Sequence, residues 1–276
     1  MRGAAWAGAI VFLAAALPAA WAILAPPSLP PSGSGSALGL SAIIAAVGAL
    51  VGTGRRRPML LFATIALVAA AMVGWAWLVR PIERTTEEML TLGAMVVSAA
   101  ACAAVFGLIA RRAEKDPHDS AALGFGSLGF AAASGPMLAV GAGWADASFV
   151  AGAIAISMLV ACIGSLGRGS GRASGSAALA TAVFVPSIWI AGALSAELDW
   201  WIAPIAALAP LGWFVGELPM LRSRPRARLA GRVIALTAVA HVATFAAIVR
   251  APLSDYAEFV LGPTLPASAE PPQSEG

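Results

Sequence analysis

The sequence predicts an all-α protein: a polytopic integral membrane bundle of about nine transmembrane helices. Three observations predict it. Of the 276 residues, 59% are hydrophobic and only 11% are charged, whereas a soluble domain carries roughly 25% charged residues. The apolar residues fall into runs that approach the roughly 20 needed to cross a bilayer. The basic residues gather in every second connection between those runs. A soluble chain of this length buries a sizeable core, but it cannot hide this much apolar surface, so its solvent is lipid. Lipid offers the backbone no hydrogen-bond partner, which makes the runs helices. The period-two alternation of a transmembrane barrel is absent.

The first span, about residues 4–25, begins "MRGAAWAGAIVFLAAALPAAWA". Its basic start and the small residues flanking Trp21 also describe a cleavable signal peptide, which would leave eight helices. The run reaches Ala25, long enough to span, and is read as a retained helix. The second span, 37–53, carries a GxxxG packing face from Gly48 to Gly52. The third, 59–79, ends near Trp75 and Trp77. The fourth, 89–110, has a weak polar stripe: Thr91, Met95, Ser98 and Cys102. The fifth, 121–143, contains "GFGSLG". A dinucleotide fingerprint needs a strand before those glycines, and here they lie inside an apolar run, so they read as a close-packing surface. The sixth span is 149–166.

A Gly/Ser-rich stretch at 164–176 reads as a flexible linker. It divides the single transmembrane domain, residues 1–250, into a six-helix part (1–166) and a three-helix part (177–250). The seventh span is 177–196. The eighth, 200–221, holds Pro204, Pro210 and Pro219; each proline removes an intrahelical hydrogen bond, so this helix is expected to be bent or broken. The ninth is 233–249. Residues 251–276 read as a short interfacial segment followed by a disordered Pro/Ser/Glu tail.

Charge orients the chain. Arg2, Arg55 to Arg57, Arg111, Arg112, Lys115, Arg168, Arg172, Arg222, Arg224, Arg226, Arg228 and Arg232 fall on one side, and only Arg80, Arg84 and Arg250 on the other. The basic side is expected to be cytoplasmic, with the N-terminus inside and the C-terminus outside a plasma (inner) membrane. The expected partners are the bilayer and a membrane-protein partner or second copy. The net charge of +3 is spent on topology, and no nucleic acid is expected. Trp144, Trp200 and Trp201 fit an aromatic belt at the outer interface, while Trp213 is deep enough to pack inside. Cys102 and Cys162 lie inside spans as separate thiols.

The chemistry is sparse. No H-E-x-x-H, no G-x-S-x-G and no paired carboxylates occur, so neither a catalytic set, a metal nor a cofactor is expected. Ionisable groups at membrane depth are costly and mark candidate sites. The ninth span places Thr237, His241 and Thr244 at i, i+4 and i+7, one polar stripe expected to point into the bundle. Glu217 lies some 6–7 Å inside the basic boundary. It has two readings: an anchor paired with Arg222 or Arg232, or a carboxylate lining a cavity opened by the broken eighth span. Glu217, His241, Thr237 and Thr244 are therefore the candidate cavity-lining residues. The expected function is a permease for a small, weakly polar solute. The alternatives are a non-catalytic subunit of another membrane complex and an intramembrane enzyme acting on lipid.

Overall fold

The computed structural model describes residues 10, 12, 14–19, 21–22, 29–52, 58–79, 83–113, 115–137, 145–166, 172–195 and 198–250. Among these residues every regular element is helical: α1 (Ser34–Gly52), α2 (Pro58–Leu78), α3 (Thr86–Ala113), α4 (Pro117–Pro136), α5 (Ala145–Leu166), α6 (Arg172–Ser195), α7 (Ile202–Ala207), a 3-10 helix (Ala209–Glu217), a single turn (Pro219–Arg222) and α8 (Pro225–Arg250). The described residues between 10 and 22 are helical too. Three helices are long and apolar enough to cross a membrane: Met59–Leu78, Thr86–Ala113 and Pro225–Arg250. They mark a membrane-associated, all-helical protein. The remaining apolar stretches are shorter: Gly35–Val51, Ala147–Val160, Ala178–Leu194 and Ile202–Glu217. Arg2, Arg55 to Arg57, Arg80, Trp144, Arg168 and everything after Arg250 lie outside the described residues.

The middle of the bundle is α6. Every residue from Ala178 to Gly192 is buried, as expected of a helix that is apolar on all sides. It packs on α1, α2, α3, α4 and α5, so the helix that follows the Gly/Ser-rich linker sits among those that precede it. Aromatic rings knit this centre. Phe106 of α3 meets Phe130 of α4 at 5.5 Å, and Phe130 meets Trp189 of α6 edge-on at 5.1 Å. The indole N–H of Trp189 donates to Ser134 Oγ of α4 at 3.1 Å, which removes the cost of an unpaired buried donor.

Helix starts are set locally. At α3, the Thr85 N–H donates to Glu88 Oε2 at 2.7 Å and the Glu88 N–H donates to Thr85 Oγ1 at 3.2 Å, a reciprocal capping box. At α4, the Asp116 carboxylate accepts from the His118 N–H at 2.9 Å, and Pro117 takes the first helical position, where a missing N–H is harmless. The run 200–221 is broken, as its prolines require. The six residues of α7 stop at Ala207; Pro210 and Pro219 then open the 3-10 helix and the single turn.

The glycines of "GFGSLG" serve packing. In α4, a Cβ on Gly126 would touch Leu236 Cδ1 at 3.0 Å, and one on Gly129 would overlap the Thr237 methyl. Gly212, in the 3-10 helix, lies against main chain instead: its Cβ would stand 2.7 Å from the backbone nitrogen of Leu236 in α8. Backbone cannot retreat as a side-chain tip does. Gly212→Ala is therefore expected to lower the thermal unfolding temperature of the detergent-purified protein, at an overpacking cost of about 1–3 kcal/mol. Gly93→Ala, in α3 with nothing within 4 Å of its would-be Cβ, is the control and should leave that temperature unchanged or raised. Equal unfolding temperatures for the two variants would contradict the close approach.

Candidate functional site

Two features stand where the broken segment meets the bundle: an ionic chain at its end and a cavity along its flank. The ionic chain starts from complementary spacings. Asp116 and Asp119, three apart at the start of α4, face Arg228 and Arg232, four apart in the first turns of α8. Residues three or four apart share a helix face. Arg228 pairs with Asp116 and, at 3.1 Å, with Asp119; Arg232 pairs with Asp119 and, at 2.6 Å, with Glu217 at the end of the 3-10 helix. The charges alternate in sign along the whole series.

Arg232 is its centre. Its side chain is only 2% exposed, against 14% for Asp119 and 44% for Glu217. The guanidinium lies 4.2 Å from the ring centre of the fully buried Trp213, and its stem runs over Gly216, where a Cβ would sit 2.6 Å from Arg232 Cγ. Glycine at 216 is what lets the arginine reach Glu217. At the outer member of the series, burial opposes the charge on Asp116. The His118 N–H, the hydrogen bond from Arg228 and the charge of Arg228 outweigh it and hold this carboxyl below its ordinary value.

The four residues singled out from the sequence divide among three places. Glu217 is ion-paired and half in solvent. Thr244, buried, donates to the Ala133 carbonyl of α4 at 2.7 Å, with the Ala240 carbonyl of its own helix also within reach at 3.0 Å. Thr237 faces Gly129 of α4 with its methyl and donates to the Val233 carbonyl at 2.8 Å. His241 differs from the expected inward stripe: it is exposed, on a flank with Val242 and Phe245, and its Nδ1 donates to the Thr237 carbonyl at 2.8 Å. The reason is angular. Thr237 and Thr244 meet the glycine and small-residue face of α4, and His241 lies about 40° round α8 from Thr237 on the side away from Thr244, at the edge of that face. Glu217 and His241 share no contact.

The cavity holds about 350 Å³ and lies between α3 and the break. Ser98, Ala101, Cys102 and Val105 of α3 form one wall; Pro204, Ile205, Ala207, Leu208, Pro210 and Leu211 form the other. Ser98 and Cys102 belong to the polar stripe visible in the fourth span. The Ser98 hydroxyl donates to the Met95 carbonyl at 2.7 Å, and Cys102 is a free buried thiol. The cavity walls are thus almost wholly apolar. Among the described residues no group of His, Cys, Asp and Glu is arranged to hold a metal ion. Asp119, Arg228 and Trp213 were not singled out as functional in the sequence; the signal that finds the ion pairs is the matched i, i+3 and i, i+4 charges at two helix starts.

No family model matches the chain, and no curated protein or solved structure is significantly similar to it.

The ionic series separates the roles of its members. Arg232→Met is expected to cost about 2–3 kcal/mol, because it leaves Glu217 unpaired, leaves Asp119 with Arg228 alone and withdraws the arginine stem and head packed on Gly216 and Trp213, and to reduce folded protein in the membrane. Glu217→Gln removes one half-exposed partner and is expected to cost about 0–1 kcal/mol. Thermal unfolding of both variants in detergent measures the difference. An Arg232→Met variant as stable as Glu217→Gln would show that the buried guanidinium does not hold these helices together.

Proposed function

We propose that the chain is a nine-span inner-membrane protein that works as a permease-like carrier for a small, weakly polar solute, received in the cavity between α3 and the broken segment. The observation that carries this reading is the coincidence of a proline break with a cavity. The volume, about 350 Å³, falls in the range of small-molecule pockets, roughly 300–1,000 Å³. Broken helices are how carriers open sites at membrane depth. The polar atoms of Ser98 and Cys102 suit a solute with few hydrogen-bonding groups. The support therefore moves from Glu217 and His241 to the stripe on α3, with Glu217 serving the anchor role.

The proposed orientation rests on segregation of charge. Arg111, Arg112, Lys115, Arg222, Arg224, Arg226, Arg228 and Arg232 gather at the end where α3 finishes and α4 and α8 begin; Arg84 and Arg250 lie at the opposite end. By the positive-inside bias the first end is cytoplasmic. Cysteines placed at the exposed Ser32 and Glu87 should react with a membrane-impermeant thiol reagent in intact cells, and one at the exposed Ser223 only after permeabilisation. Labelling of Ser223→Cys in intact cells would reverse the proposed orientation.

The carrier reading is tested by filling the cavity. Purified protein is heated with a panel of small, weakly polar compounds. One or more should stabilise the wild type, by about 2.7 kcal/mol at a hundredfold excess over Kd, and fail to stabilise Leu208→Trp. A panel that stabilises both proteins equally sinks the reading. A subunit role in a larger assembly has its own observation, the exposed His241 on an apolar flank, since a polar ring facing lipid is costly. On that account His241→Trp changes the size of the complex in mild detergent and Leu208→Trp does not.

A further inference from the structure

The cavity is continuous in direction with a second, unexplained feature. Beyond Leu208 and Leu211 on the cavity wall, the broken segment exposes Phe214, Val215, Leu218 and Met220, the last at 85%. This apolar track ends at Arg222, Arg224 and Arg226, all exposed. Among the described residues none of these three takes part in an ion pair, whereas Arg228 and Arg232 are ion-paired with Asp116, Asp119 and Glu217. The loop thus separates its arginines into two sets: one neutralised within the protein, one left with uncompensated charge beside an apolar track.

The opposing wall repeats the pattern. Arg112, at the end of α3, is exposed and lies 6.0 Å from the Phe214 ring. That contact places the end of α3 against the track. Val105 and Ser98 precede Arg112 by seven and fourteen residues, or about 10 and 21 Å along the helix. A single leaflet of hydrocarbon is about 15 Å deep, half of the roughly 30 Å core. The cavity lies, therefore, one acyl chain's reach from the free arginines.

Among the described residues, the opposite end of the bundle offers an anion nothing comparable. Arg84 stacks on Trp77 at 3.8 Å and donates to its carbonyl; Arg250 lies 5.5 Å from the Trp201 ring and 3.9 Å from Asp199. Glu83, Glu87 and Glu88 are exposed there. An anionic headgroup is attracted to one end and repelled from the other.

We propose that the cavity and the track together bind an anionic phospholipid, with the headgroup on Arg112, Arg222, Arg224 and Arg226 and one acyl chain running along Phe214 and Leu211 into the space beside Cys102. The inference rests on the cavity reading above and names the chemical class of its occupant: an amphiphile with a negative head, entering sideways from the cytoplasmic leaflet. Clusters of basic residues beside a membrane helix attract such lipids by charge alone; the cavity adds a place for the chain, and hence a fixed site instead of a diffuse cloud.

The full-length protein is reconstituted in phosphatidylcholine vesicles carrying a trace of phosphatidylglycerol with a photoactivatable group at the end of one chain. Labelled peptides are identified by mass spectrometry. The expected label falls on Ala101–Val105 and Leu208–Leu211. The same chain on a phosphatidylcholine head should label those peptides at least about tenfold less, given several arginines at roughly fivefold each. Combined Arg222→Gln, Arg224→Gln and Arg226→Gln, all at exposed positions, should bring the phosphatidylglycerol label down to that level while the melting temperature stays unchanged. Equal labelling by the two headgroups in the wild type overturns the anionic-lipid proposal and leaves the cavity reading standing. Absence of label from the cavity with both probes overturns the proposal as well, and the solute panel then decides the cavity reading separately.

Discussion

A guanidinium enclosed by apolar helices has to find its counter-charge inside the protein, because several kcal/mol of hydration are lost when it is buried. Arg232 is in that position, and the path of the surrounding chain follows from satisfying it. Asp119 brings the start of α4 against α8, and Glu217 brings the end of the 3-10 helix to the same point. Trp213 offers the remaining face of the guanidinium a ring at 4.2 Å, an attraction that strengthens as water is excluded. Arg228 extends the series outward to Asp116, which in turn caps α4. One buried cation thus fixes three elements relative to each other, at the end of the bundle where the chain crowds its other arginines.

Elsewhere in the bundle the cohesion is of a different kind. Among lipid chains there is little hydrophobic gain in bringing two apolar helices together; close packing and interhelical hydrogen bonds have to do it. The contacts have that character. Gly48 lets α1 approach Ile65 of α2, and Gly126 and Gly129 let α4 approach α8. Ser41 Oγ lies 3.2 Å from the Ala69 carbonyl and Thr244 donates across to Ala133. Each hydroxyl also lies within hydrogen-bond reach of a carbonyl one turn back in its own helix. Small residues are common in this sequence because they are what the packing uses.

These two kinds of cohesion explain what the sequence revealed and what it hid. Helical runs, the break between Pro204 and Pro219, the interior position of Trp213 and the pairing of Glu217 with one of two named arginines all depend on local composition, and a single segment shows them. The position of α6 does not: a run such as 178–192 reads as one more span, and only its burial on every side distinguishes it. His241 exposes the limit of periodicity. Thr237, His241 and Thr244 share a helical face within about 60°, yet α4 presents glycine and alanine to the two threonines and leaves the imidazole outside. A polar stripe names a face, not its middle. Similarly, Ser98 and Cys102 carry no charge and so leave a fainter signal in the sequence than Glu217, although the cavity lies against them.

The broken segment connects the ionic series to the cavity. Within the nine residues of the 3-10 helix, Pro210 and Leu211 line the cavity, Gly212 presses on the backbone of α8, Trp213 stacks on Arg232, and Gly216 and Glu217 receive the arginine stem and head. At about 2.0 Å rise per residue these nine residues span about 18 Å, whereas an α-helix of the same length spans about 13.5 Å. The stretch is what lets one short piece reach from the cavity wall to the arginine. The prolines fit this path: Pro204 sits in the first turn of α7, where its missing N–H is harmless, Pro210 stands at the start of the 3-10 helix, and Pro219 opens the turn just beyond Glu217, before the exposed arginines begin. One continuous piece of chain thus carries both the cavity wall and the carboxylate that Arg232 holds, and Glu217 stands at its far end without lining the cavity.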